Sequence, residues 1–212
     1  PVRLVFQGGL RVATGLPELF TALATRPALR AMTLDIYGGG PEDASLRAAA
    51  VAAGLMTSPG GRSGGAGMEG DEGGSTRRDS AEPGAGDGGG SRVRFHGSVP
   101  FETIPARMAE AHVGIHLMQP VCGSFALTWA NKTFDYAQAG LPVLLSDNPA
   151  HRTLVAEHPV GVLADAFDPE AIGTALETLM AGYEAHAAAA RRARESWHWD
   201  AHFRALPAFL ET

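Results

Sequence analysis

Short runs of branched and aromatic residues alternate along this chain with longer stretches whose apolar positions recur every three to four residues. Leu4, Val5 and Phe6 predict a first strand over residues 2–7, ended by Gly8 and Gly9. Leu16, Leu19, Phe20 and Leu23 then mark one face of a helix. A second strand over 34–37 runs into Gly38, Gly39 and Gly40. Pro41 opens an alanine-rich helix stopping near Gly54, because its missing N–H costs nothing in a first turn. Strands at 93–96 and 113–118 flank a helix over 104–111, and the segment 119–130 reads as a loop.

A helix follows, opened by Asn131 as N-cap and closed by Gly140, and then a strand at 142–146. The pattern continues with a helix over 152–157 and a short strand at 162–163. Asp168 caps the next helix and Pro169 begins it, with Ile172, Leu176, Leu179 and Met180 on its buried face. Residues 183–210 predict a helical tail, rich in alanine and arginine and then aromatic at Trp197, Trp199, Phe203 and Phe209.

Strands alternating with helices signal parallel βαβ units, here about six of them. The expected fold is α/β, a Rossmann-like doubly wound parallel sheet in the order 3-2-1-4-5-6, with ligands at the carboxyl ends of the strands. Residues 57–92 break the pattern: they hold 13 of the 27 glycines and almost no large apolar side chain. Such a segment cannot bury enough surface to offset its ordering entropy. It is therefore expected to be a disordered insertion in a surface connection of one domain spanning residues 1–212.

With 45% of its 212 residues hydrophobic, the chain can build a full core. A net charge of −6 argues against nucleic acid as a partner. Cys122 is the only cysteine, so neither an intrachain disulfide nor a thiolate metal cluster can form, which fits a reducing, cytoplasmic setting. No apolar run reaches the roughly 18 residues a membrane span needs. The sequence opens directly on a strand without an initiator methionine, and an upstream part is expected.

The densest chemistry lies in residues 131–147. Backbone N–H groups and Lys132 at a helix start suit an anion such as a diphosphate. Asp135, one turn later, suits sugar hydroxyls, which donate hydrogen bonds to a carboxylate. The combination points to a nucleotide-sugar pocket. Other chemistries find less support. His112 and His116 flank or occupy a strand and share no helical face, and His198 and His202 have no third ligand nearby, so no metal is expected. Cys122 and Ser124 lack a nucleophile elbow. The run Gly38-Gly39-Gly40 is not the spacing of dinucleotide enzymes.

Taken in order, these segments resemble the C-terminal, donor-binding domain of GT-B glycosyltransferases, close to the retaining glycosyltransferase family 4. Phe6-Gln7-Gly8-Gly9-Leu10 with Gly15-Leu16 resembles that domain's glycine loop after the first strand. Ile36 to Pro41 and Val93 to Val99 resemble the loops beside base and ribose, and Asn131 to Val143 resembles the signature helix. The likeness implies a hexosyltransferase-like enzyme that takes a UDP- or GDP-sugar, needs no obligatory cofactor, and passes the glycosyl group to an acceptor.

By position, the resemblance assigns the ribose to Asp135, with two hydroxyls on one carboxylate, and the diphosphate to Lys132. It gives Gly8 and Gly9 a close approach to phosphates or sugar, and Gly38, Gly97, Ser98 and Val99 the base and ribose. Asn131 and Thr133 complete the helix start, and Arg11 is the candidate second phosphate contact. Active members usually carry a first glutamate eight positions before the second; here that position is Leu127. A rival expectation is therefore a catalytically inactive module kept as a nucleotide-binding or partner-binding scaffold. A nucleotide-sugar epimerase of the same fold lacks a dedicated acid/base set. The resemblance also implies an absent N-terminal acceptor domain, through which a peripheral membrane association is possible.

Overall fold

A computed structural model of the chain describes residues 1–58, 91–127 and 129–197. Six strands form one parallel sheet: β1 (Arg3–Gln7), β2 (Thr33–Tyr37), β3 (Val93–Gly97), β4 (Val113–His116), β5 (Val143–Ser146) and β6 (Gly161–Ala164). Their order is β3-β2-β1-β4-β5-β6, the one expected from the sequence, so the direction in which successive strands are added reverses between β1 and β4. The helices are α1 (Leu16–Thr25), α2 (Asp43–Ala52), α3 (Ile104–Ala109), α4 (Gly123–Leu127), α5 (Asn131–Gln138), α6 (Pro149–Glu157), α7 (Pro169–Ala181) and α8 (Tyr183–Ser196).

Alternation along the strands divides the core into two layers. Leu4 and Phe6 of β1, Leu34 and Ile36 of β2, and Val113 and Ile115 of β4 face α1, α2 and α7 through Leu19, Leu46 and Leu176. Val5, Tyr37, Val143 and Leu145 point to the other face, toward Met108 of α3, Tyr136 of α5 and Leu154 of α6. The central strands β1 and β5 are thus buried on both sides, which is why their sequences read as near-continuous apolar runs.

Several predicted boundaries shift. The second helix begins at Asp43 with Glu42 as its N-cap, so Pro41 lies ahead of it. The fourth strand ends at His116, because Leu117 and Met118 leave the ladder. The segment expected as a loop before α5 contains the five-residue α4. Asp168 caps α7 as expected, accepting from the Glu170 N–H at 2.9 Å. Of the expected insertion at 57–92, residues 59–90 lie outside the described residues, as do Trp199, Phe203, Phe209, His198 and His202. No described helix is long and apolar enough to cross a membrane.

Candidate nucleotide-sugar site

At the carboxyl edge of the sheet, beside the reversal in strand order, opens a cleft of about 380 Å³. Gln7 and Gly8 at the end of β1 and Tyr37 and Gly38 at the end of β2 form one wall. Ser98, Val99, Phe101 and Ile104 form the second, and Ala130, Asn131, Lys132 and Asp135 of the α5 start close it. The β1 and β2 loops approach so closely that a side chain at Gly38 (φ +141°) would overlap the carbonyl oxygen of Gly8. Gly8 N–H donates to Tyr37 O at 3.0 Å, and Gly38 N–H to Gly97 O at 2.8 Å.

The α5 start differs from expectation. Ala130, in extended conformation (φ −79°, ψ 147°), is the N-cap, and Asn131 is the exposed first helical residue with no capping side-chain bond. Its amide therefore remains available to the cleft, and the first N–H groups of α5 have no side-chain acceptor. The far end of α5 closes as expected at Gly140, whose left-handed φ of +73° turns the chain into β5.

Lys132 Nζ lies 4.2 Å from the centre of the Phe6 ring, a cation–π contact beneath the β1 loop. A methyl at Gly8 would stand 3.3 Å from it, and no described carboxylate lies within salt-bridge distance of it. Burial pushes this amine down from its ordinary value to about 8. An uncompensated ammonium in such a setting has the chemistry to receive an anion.

Asp135 is tied to the opposite strand. Gln7 Nε2 donates to Asp135 Oδ2 at 2.5 Å, and Gln7 N–H donates to the hydroxyl of Tyr136 at 3.1 Å. Tyr136 O–H donates in turn to Ile115 O at 3.1 Å. Burial pushes the Asp135 carboxyl up, while the amide of Gln7 holds it back. Oδ2 thus already accepts one hydrogen bond, whereas Oδ1 has no partner among the described residues and is the more open of the two to a hydroxyl.

A second polar group sits behind the cleft. Asp35 accepts a forked pair from Arg94 at 2.8 and 2.9 Å and bonds His96 Nε2 at 2.7 Å. Burial opposes ionisation of Asp35, but the bonds from His96 and Arg94 hold it well below the usual carboxylate range. The β2–β3 register shifts at His96, and its ring stacks on Tyr37 with centroids 4.5 Å apart. Tyr37 thereby presents a braced aromatic wall to the cleft.

Of the eleven sequence-predicted site residues, the structure gathers Gly8, Gly38, Ser98, Val99, Asn131, Lys132 and Asp135 around this cleft. Gly9 and Arg11 instead line an adjoining cavity of about 170 Å³, which meets the cleft only at Lys132. Gly97 contributes its carbonyl to Gly38 and does not line the cleft. Thr133 is fully buried and bonds His116 Nδ1 at 2.7 Å, so it faces the core and not a ligand. His116 is edge-on to the buried His151, with ring centroids 4.7 Å apart. His112 accepts from the Arg3 N–H and lies apart from His116. Gln7, Tyr37, Phe101, Ile104 and Ala130 were missed; Gln7, a polar residue at the carboxyl end of a buried strand, carried a usable signal.

Residues 70–182 match the family described as glycosyl transferases group 1. The chain belongs to this family. A search of the curated proteins finds no match. Among solved structures, the catalytic domain of cholesterol-alpha-glucosyltransferase from Helicobacter pylori is similar over 93% of this chain and 97% of that one, with 11% identity and a TM-score of 0.63. Sucrose-phosphate synthase from Thermosynechococcus elongatus is similar over 99% and 45%, with 16% identity and a TM-score of 0.67. Anabaena HepE, solved with UDP-glucose, is similar over 92% and 43%, with 17% identity and a TM-score of 0.63. The chain thus spans less than half the length of the last two, and at these identities they share its fold alone.

Within this glycosyltransferase family frame, Leu127 gains meaning. It lies on α4 and is 73% exposed, where the sequence resemblance led one to expect a carboxylate.

Proposed function

We propose that this chain is the donor-binding half of a glycosyltransferase that uses a nucleoside-diphosphate sugar, UDP- or GDP-linked. The observation that carries the reading is the single cleft joining Lys132, Asp135, the Gly8 and Gly38 turns and the Ser98–Val99 strip. The nucleoside lies between Tyr37 and Val99, its ribose on Asp135, and the diphosphate reaches the α5 start. Departure of a nucleoside diphosphate leaves negative charge on its phosphates. Lys132 and the N–H groups at the α5 start stabilise that charge more in the transition state than in the ground state. HepE was solved with UDP-glucose and the pneumococcal O-GlcNAc transferase GtfA with UDP and GlcNAc, which supports a UDP-sugar as first candidate.

The adjoining cavity beyond Lys132, lined by Arg11 and Thr14, is the space for the transferred sugar. Acceptor binding belongs to a second domain, and turnover by this chain alone is negligible on this reading. A second reading, an inactive nucleotide-binding scaffold, draws on Leu127, since that position offers no carboxylate to the sugar. Calorimetric titration with UDP, GDP and their glucose conjugates tests the binding claim. Saturable binding that Asp135→Ala abolishes supports it; no binding of any of the four at millimolar concentration overturns it. Transfer or donor hydrolysis by the full-length protein, lost in Lys132→Ala, separates the enzyme from the scaffold.

A further inference from the structure

The Asp135 carboxylate reaches the cleft from one turn inside α5, and its distal partner is a side chain 128 residues away on β1. Gln7 is only 9% exposed and is held twice: its side chain donates to Asp135 Oδ2, and its main-chain N–H donates to Tyr136, the neighbour of Asp135. A bond from a buried amide fixes which carboxylate oxygen faces inward and which faces the cleft.

Resting on the donor-binding reading above, we propose that Gln7 is a positioning residue that turns the Asp135 carboxylate so that Oδ1 alone takes a hydroxyl of the bound ribose. The consequence is selective. One of the two ribose hydroxyls is held by the carboxylate, and the other is not.

The test compares UDP and GDP, using whichever binds the wild-type chain more tightly, with its 2′-deoxy and 3′-deoxy counterparts. Titrations are run from pH 5.5 to 8.5 on wild type, Gln7→Leu and Gln7→Glu, with melting curves to check folding. In the wild type, one deoxy analogue should bind about tenfold or more weakly and the other within about threefold of the parent, since one charge-assisted hydrogen bond is lost in only one case. Gln7→Leu should erase the difference between the two analogues. Gln7→Glu places a second carboxyl against Asp135. At low pH the pair shares one proton and keeps the bond; as pH rises both ionise and repel, and affinity should fall. A purely structural role for Gln7 would not erase the discrimination between the two analogues in a Gln7→Leu chain that melts with the wild type.

Equal weakening of both analogues in the wild type overturns the proposal. So does unchanged discrimination in Gln7→Leu, or a Gln7→Glu affinity that follows the same pH profile as the wild type's. Failure of both parent diphosphates to bind the wild type overturns the donor-binding reading itself, and the proposal with it.

Discussion

Gly114 leaves the space that the ring of Tyr136 fills: a methyl group on Gly114 would overlap the ring carbons. The ring is fully buried, and its hydroxyl links β1 to β4 through Gln7 N–H and Ile115 O. A missing side chain in the middle of β4 therefore sets the depth of α5 and, through it, where Asp135 and Lys132 stand.

Gly114→Ala should accordingly cost ~3 kcal/mol or more, the upper end for forced overpacking in a closed core. Tyr136→Phe keeps the ring but strips the Gln7 amide and the Ile115 carbonyl of their shared partner, at a cost of about 1–3 kcal/mol. Urea unfolding measures both. A Gly114→Ala chain as stable as wild type would contradict the packing described.

On the proposed reading, Lys132 carries the pH dependence of anion binding. Burial lowers its free-state value to about 8, and a bound diphosphate would hold the proton on. Affinity for a nucleoside diphosphate should be greatest below pH 8 and fall by up to about tenfold per pH unit above it. Phosphate oxygens titrate near pH 6 and do not change in that window. Lys132→Arg should flatten the profile above pH 8, and calorimetry across pH 7–9.5 reads it.

The buried pair His116 and His151 should make the fold acid-sensitive. Burial holds both imidazoles below their ordinary value, and the charge of Lys132 adds to this for His116. A histidine whose folded value is depressed loses stability as pH falls below its unfolded value near 6.5, by up to ~1.4 kcal/mol per pH unit each. His151→Gln, which removes one titrating ring, should reduce the slope of unfolding free energy against pH between 6.5 and 5.

Asp35 acts in a lower window. Its folded value is depressed, so its contribution is fully present above the unfolded value near 4 and is lost as pH falls below that. Asp35→Asn should cost about 1–3 kcal/mol at pH 7, less than a fully enclosed pair would, because Arg94 is a third exposed and can rehydrate. The gap from wild type should narrow steadily below pH 4.

The fold was legible because its signals are local. Apolar runs bounded by glycine, the 3.6-residue spacing in α1 and the Asp168-Pro169 start each depend on a few neighbouring residues. Much of the site was not. The bond from Gln7 to Asp135 joins residues 128 apart, and the stack of His96 on Tyr37 depends on a register shift that no local pattern encodes. Asn131 carried the composition of a cap, yet the chain enters α5 one residue earlier, so Ala130 takes the place. Thr133 looked like part of an anion-binding turn, but helical geometry points it back to His116.

The separate duties given to Lys132 and Asp135 are tested most directly by one set of dissociation constants. Uridine and guanosine and their diphosphates are titrated into wild type, Lys132→Ala and Asp135→Ala. Lys132→Ala should remove most of the diphosphate's advantage over the nucleoside and leave the nucleoside's affinity within about threefold, while Asp135→Ala should weaken both by about tenfold or more. Equal effects of the two substitutions on nucleoside and diphosphate, or no effect of either, would contradict the assignment of this cleft to a nucleoside-diphosphate sugar.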